Sequence, residues 1–159
     1  MAADQDRDFM LHAIKVMRDA GVVNKSGGPF GAVIVKHGKV IAAAGNTVIR
    51  DNDPSAHAEV NAIRQACRAI KNRDLSSCVM YSSCECCPMC YSAAYWANIR
   101  SIFYAASWSD YEDLFPDRAI NDDIRRSIPE KEIRMQQILQ SEAQAVWAEV
   151  RRLPDGARY

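Results

Sequence analysis

Net charge is what this sequence has least of: twenty lysines and arginines are matched by twenty aspartates and glutamates across 159 residues. A balanced chain lacks the field that gathers phosphates, which argues against nucleic acid as a main partner, although a local patch could still exist. Long apolar runs are missing too. None approaches the roughly 20 residues of a membrane span, which excludes a helical membrane role. The opening stretch, MAADQDRDFM, has no apolar core of a secretory leader, so a reducing, cytoplasmic setting is expected. Repeats, linkers and low-complexity tracts are absent. With 48% hydrophobic and 25% charged residues, the chain has the composition of one ordinary domain spanning 1–159.

What is present is organised by period and punctuation. Phe9, Met10, Ala13, Ile14 and Met17 recur at helical spacing and predict a first helix that stops at Gly21. SGGPFG then leads into AVIVKHGKVIAAAG, two apolar runs around His37 and Gly38 that read as a β-hairpin. The double glycine lacks a Walker lysine, so it is read as a turn or a close approach rather than a phosphate cradle. Val60, Ile63, Cys67 and Ile70 predict a second helix from about His57. CVMYSS has strand character, Pro88 opens a helix, and RSIFYAAS is a further strand. Beyond Asp110 the pattern gives a short acidic helix, an edge strand near IRMQQIL, and a helix from Ser141 to Arg152. Strands alternating with helices imply an α/β fold, a three-layer α/β/α sandwich around a mixed sheet.

Four of the six cysteines crowd into SCECCPMC, Ser83 to Cys90. Neighbouring thiols cannot meet disulfide geometry without strain, and clustered thiols in a reducing setting suggest metal binding or catalysis. Cys67 and Cys78 lie in apolar surroundings and read as small buried hydrophobes. Cys87 precedes Pro88, which is favoured at the first helical position. Cys87 is therefore the cap, and Cys90 follows three residues on along the same face. The positive end of the helix dipole favours thiolate there. Zinc suits such a pair, although C-x-x-C also marks redox sites. His57 is the best third ligand, opening its own helix two residues before Glu59. Three protein ligands leave a position for water, as in catalytic zinc sites. H-x-E followed by P-C-x-x-C is also the signature of zinc-dependent nucleobase deaminases.

The chain resembles the cytidine deaminase superfamily from about Asp8 onward. Within it, GGPFGAVIV, NDPSAHAEVNAIRQAC, YSSCECCPMCYSAAYWA and FYAAS resemble the bacterial guanine deaminases and their plant guanosine deaminase relatives. Cys86 stands where that family has proline, either as a substitute in the turn or as an oxidisable neighbour of the metal site. The resemblance implies hydrolytic deamination of guanine to xanthine and ammonia. It makes His57, Cys87 and Cys90 the zinc ligands and Glu59 the proton carrier. It matches Asp117, with Asp110 as the alternative, to the aspartate that serves the departing amine. Asn46 resembles the asparagine that hydrogen-bonds the base, Phe30 and Trp96 its aromatic walls, and the Ala58 N–H a contact to its edge. Tyr159 matches a C-terminal tyrosine, and the resemblance implies a homodimer whose segments from about 141 to 159 are exchanged between subunits, each tail closing the other's site. Guanosine, cytosine and tRNA adenosine deaminases share the zinc signature. A structural zinc module would leave Glu59 idle.

Overall fold

The computed structural model describes residues 2–155. Residues up to Asn121 form one compact unit and those from Asp122 a second. The first holds a sheet of four strands in the order β2-β1-β3-β4, made of β1 (Gly31–Lys36), β2 (Lys39–Gly45), β3 (Cys78–Cys84) and β4 (Ile102–Ala106). β1 pairs antiparallel with β2 and β3, whereas β3 and β4 run parallel, so the sheet is mixed as expected. The β1–β2 hairpin turns at His37 and Gly38, both at positive φ. That geometry matches the strand twist of a tight hairpin.

Alternation along the central strands makes the layers. Ala32 and Ile34 of β1, with Met80 of β3, pack with Ala58, Ala62, Ile63 and Ala66 of helix α3 (Ala58–Ile70) and Ala94 of α4 (Pro88–Trp96). Val33, Val35 and Tyr81 point the other way, onto Ala13, Phe9 and Met10 of α1 (Ala2–Arg18). Successive side chains of a strand face opposite sides, and here both sides are covered. Gly21 does not stop the first helix. The chain widens into a π-helical turn, Asp19–Val23, in which Asn24 N–H donates to Asp19 O at 2.8 Å. A side chain at position 21 would meet Pro29 Cα at 2.5 Å, so the glycine serves packing rather than termination.

After β2 comes a single helical turn, α2 (Val48–Asp51); after β4 come a 3₁₀ turn, Trp108–Asp110, and α5 (Asp117–Arg125). The second unit carries α6 (Gln140–Arg152), close to the span expected. The strand expected near IRMQQIL does not form. Among the described residues 133–139 is irregular, and Ile133, Met135, Ile138 and Leu139 are exposed. Strand character needs a partner edge, which this run does not have in the chain as described.

Candidate active site and metal centre

Two helix starts converge on one point. His57 caps α3 and Cys87 caps α4, both in extended conformation, and neither side chain is used as a cap. Pro88 occupies the first helical position, as its fixed φ and missing N–H favour. The freed side chains turn toward each other: Cys87 Sγ and Cys90 Sγ each lie 3.6 Å from His57 Nδ1. All three donor atoms fall within 4.8 Å of one another. Nitrogen and sulfur bound to one tetrahedral zinc would stand about 3.6 Å apart, so the donor set fits the ion in both chemistry and spacing.

The electrostatics agree. The hydrogen bond from Cys90 holds the Cys87 thiol down to about 4, and Cys90 is raised in turn, so the pair shares one proton. Its hydrogen bond with Cys87 raises His57. A site that holds negative charge so readily suits a cation. Cys86 behaves differently. Burial pushes its thiol up, and it packs beside Val60, Cys87 and Cys90 as an apolar filler, which favours its reading as a turn residue. Burial also pushes Cys84 up to about 11.

Glu59, 4% exposed, lies in the first turn of α3 beside the ligand group. Ser82 Oγ donates to its Oε1 at 2.8 Å, and Cys90 Sγ lies 3.3 Å from its Oε2. Burial raises its proton affinity. Above these groups opens a cavity of about 530 Å³, lined by His57, Glu59 and Cys87 together with Phe30, Asn46, Phe115 and Asp117. Phe30 and Phe115 meet edge to face at 4.9 Å. Asn46, 4% exposed, accepts the Val48 N–H on its Oδ1 at 3.1 Å. Gly27 is needed for this arrangement, since a Cβ there would sit 2.0 Å from Asn46 Oδ1. The double glycine thus marks a close approach of backbone to a cavity side chain.

Asp117, 9% exposed, begins α5 and accepts the Tyr111 hydroxyl on Oδ2 at 3.1 Å. Burial raises its proton affinity as well. Asp110, the alternative, is spent elsewhere: its Oδ2 accepts the Ser107 N–H at 2.7 Å and the Ser107 hydroxyl at 2.9 Å, and it does not line this cavity. Ala58 sits between His57 and Glu59, and as the first residue of α3 its N–H has no intrahelical acceptor. Trp96 is not brought to the cavity; it ends α4, 60% exposed, edge-on to Tyr95. The stretch YSAAYWA buries Ala94 and Ala97 and turns its rings outward. Tyr159 lies outside the described residues.

Three groups at the site escape a reading by motif. Phe115 lies inside the run LFPDRAINDDI that holds Asp117, with no role of its own there, Glu85 sits inside the cysteine cluster, and Ser82 belongs to a polar pair within an apolar strand. The serine pair was the visible signal. A strand buried on both faces keeps hydroxyls only when they are bonded, here Ser82 to Glu59 and Ser83 to the Gly31 N–H.

The cytidine and deoxycytidylate deaminase zinc-binding region matches residues 3–106. The chain belongs to this deaminase family. The guanine deaminase of Bacillus subtilis is 46% identical over 135 residues, 84% of this chain and 86% of that protein. The crystal structure of a Bacillus subtilis guanine deaminase superposes with a TM-score of 0.91 at 40% identity, covering 96% of this chain and 98% of that one. The tRNA-specific adenosine deaminase of Agrobacterium fabrum is 41% identical over 98 residues, 62% of this chain and 63% of its own length. As a member of the deaminase family the protein is a zinc-dependent hydrolytic deaminase with a cytidine deaminase-like fold, and His57, Cys87 and Cys90 are its candidate ligands.

Proposed function

We propose that this deaminase converts guanine and water to xanthine and ammonia in the cavity between Phe30, Phe115 and the zinc ligands. The observation that carries the reading is the pair of buried carboxylates, Glu59 and Asp117, in one cavity with the His57–Cys87–Cys90 group. Hydrolytic loss of an amine needs two proton deliveries, one to the ring and one to the departing nitrogen, and two carboxylates of raised proton affinity supply them. Bound zinc supplies a water acidic enough to lose its proton near neutral pH. Glu59 takes that proton and passes it to a ring nitrogen. Asp117 carries the proton for the amine. Asn46 has its Oδ1 engaged by Val48, which leaves its NH₂ to donate to an acceptor on the base, and the Ala58 N–H, first in α3, is the donor this reading assigns to the base edge. Phe30 and Phe115 present apolar faces to a flat ring and exclude water.

A substrate panel with ammonia detection tests this reading. Guanine should give the highest kcat/KM among guanine, guanosine, cytosine, adenosine and a tRNA anticodon stem-loop. A higher value for cytosine or the stem-loop overturns it.

The protein also acts, in this proposal, as a homodimer in the cytoplasm. None of the residues of α6 is buried, and Trp147 on it is 61% exposed, as are Val146 and the apolar side chains of 133–139 in large part. Exposed apolar surface on this scale is what a second subunit covers. Exchange of 141–159 between subunits would bring Tyr159 to the partner's cavity and close it against water. All six cysteines are free, which suits a reducing compartment, and no helix among the described residues is long and apolar enough to cross a membrane.

A further inference from the structure

We propose that Tyr111 is the positioning residue for amine departure: its hydroxyl stands between Asp117 Oδ2 and the Glu85 carbonyl and keeps Asp117 aimed in either protonation state. The proposal rests on the reading of Asp117 as the proton carrier and deepens it.

The geometry has three parts. Tyr111 Oη lies 3.1 Å from Asp117 Oδ2 and 3.2 Å from Glu85 O, so one phenolic proton has two acceptors within reach. Among the described residues Tyr111 is the side chain that hydrogen-bonds the Asp117 carboxylate. The ring is wedged edge-on against both cavity walls, Phe30 at 5.6 Å and Phe115 at 6.4 Å. Its backbone carbonyl accepts the N–H groups of Leu114 and Phe115 at 3.0 and 3.1 Å, which tightens the turn leading to α5. Glu85, in turn, is tied to β4 by its N–H to Ala106 O at 2.7 Å, just before the chain reaches Cys87. Tyr111 therefore joins the cysteine loop, the aromatic wall and the start of α5.

The chemistry follows from counting donors. A phenol has one proton to give and can accept at its oxygen. While Asp117 is a carboxylate, Tyr111 donates to it and fixes its rotamer. Once Asp117 holds a proton, that proton can point at Tyr111 Oη or at the departing amine, and the phenol turns to the Glu85 carbonyl. In either state the phenolic proton has an acceptor within reach, so Tyr111 need not leave its place as Asp117 gains and loses a proton. A phenol with Asp117 as its sole acceptor would compete for Oδ2 with any proton delivered to that oxygen.

Tyr111→Phe keeps the ring and removes the hydroxyl. Guanine must lose ammonia, which needs a proton; 2-chlorohypoxanthine gives the same xanthine by losing chloride, which needs none. We expect Tyr111→Phe to lower kcat on guanine about tenfold or more, with KM changed less than about threefold, and to leave kcat on 2-chlorohypoxanthine within about twofold. Asp117→Asn should show the same selectivity with a larger loss. Zinc content and thermal midpoint of Tyr111→Phe are recorded alongside. Equal losses on both compounds mean a structural role and overturn the proposal, as does an unchanged kcat on guanine. Wild-type protein inactive on both compounds overturns the guanine reading and this proposal together, whereas activity on both with equal losses removes the Tyr111 role alone.

Discussion

The Ser82 hydroxyl donates a 2.8 Å hydrogen bond to Glu59 Oε1, joining the middle of the sheet to the first turn of α3 at the floor of the cavity. Both groups are buried, so the bond holds one carboxylate oxygen in place. Ser82→Ala should keep zinc and lower kcat about tenfold or more, the loss of one hydrogen bond to a charged group. Glu59→Gln should keep the fold and zinc but cut turnover by about 100- to 10,000-fold. Steady-state kinetics with metal analysis checks both, and Glu59→Gln activity within tenfold of wild type would rule out its role.

Metal content separates the four clustered thiols. The purified protein should carry about one zinc per chain. Cys87→Ser, Cys90→Ser and His57→Ala should lose it, since each of these residues gives one of the three converging donor atoms. Cys86→Pro should retain it, because Cys86 only fills space beside them. Full zinc in Cys87→Ser would refute the ligand assignment.

The two aspartates should differ in kind. Asp117→Asn removes the proposed proton carrier from the cavity, and guanine turnover should fall about 100-fold or more. Asp110→Ala removes the partner of Ser107 instead and should lower stability slightly, with kcat within about threefold. Kinetics paired with denaturant melts distinguishes them, and the reverse order would exchange their roles.

Subunit exchange predicts two truncations with different outcomes. Deleting 157–159 should preserve the dimer and zinc while lowering kcat/KM, whereas deleting 140–159 should give a monomer. Light scattering with kinetics is the check. A monomeric wild type, or full activity after the shorter deletion, sinks the exchange.

On the α1 face of the sheet, Tyr81 donates to Asp6, and burial aided by that bond pushes its phenol up to about 12. An unfolded tyrosine titrates near about 10. The native state thus holds the proton more tightly, so this contribution to stability is complete below about pH 10 and is lost as pH rises from there toward 12. Tyr81→Phe should lower stability at neutral pH by about 1.5–3 kcal/mol and flatten that alkaline loss. Melts across pH 8 to 12 would show an unchanged alkaline slope if Tyr81 were not responsible.

The ligand types, their order, and the helix starts that present them were legible in the sequence because each follows from neighbours within one turn. Proline after Cys87 sets the start of α4, apolar spacing after His57 sets α3, and His37 with Gly38 sets the hairpin. Local rules reached no further than such steps. Whether 133–139 pairs as a strand depends on an edge for it to meet, and the pattern alone could not say that none is offered among the described residues. The outward turn of Trp96 was likewise hidden, since a short helix rich in alanine and aromatics can bury either set. Ser82 reaches Glu59, and Tyr111 reaches Glu85, because β3 runs antiparallel to β1 and parallel to β4. That sheet order brings residues more than twenty positions apart within one hydrogen bond of each other. Sequence therefore determined the chemistry available to the site, through short-range caps and periods; tertiary packing decided which carboxylate, hydroxyl and ring face it, because only the sheet fixes distances between segments that the chain itself leaves free.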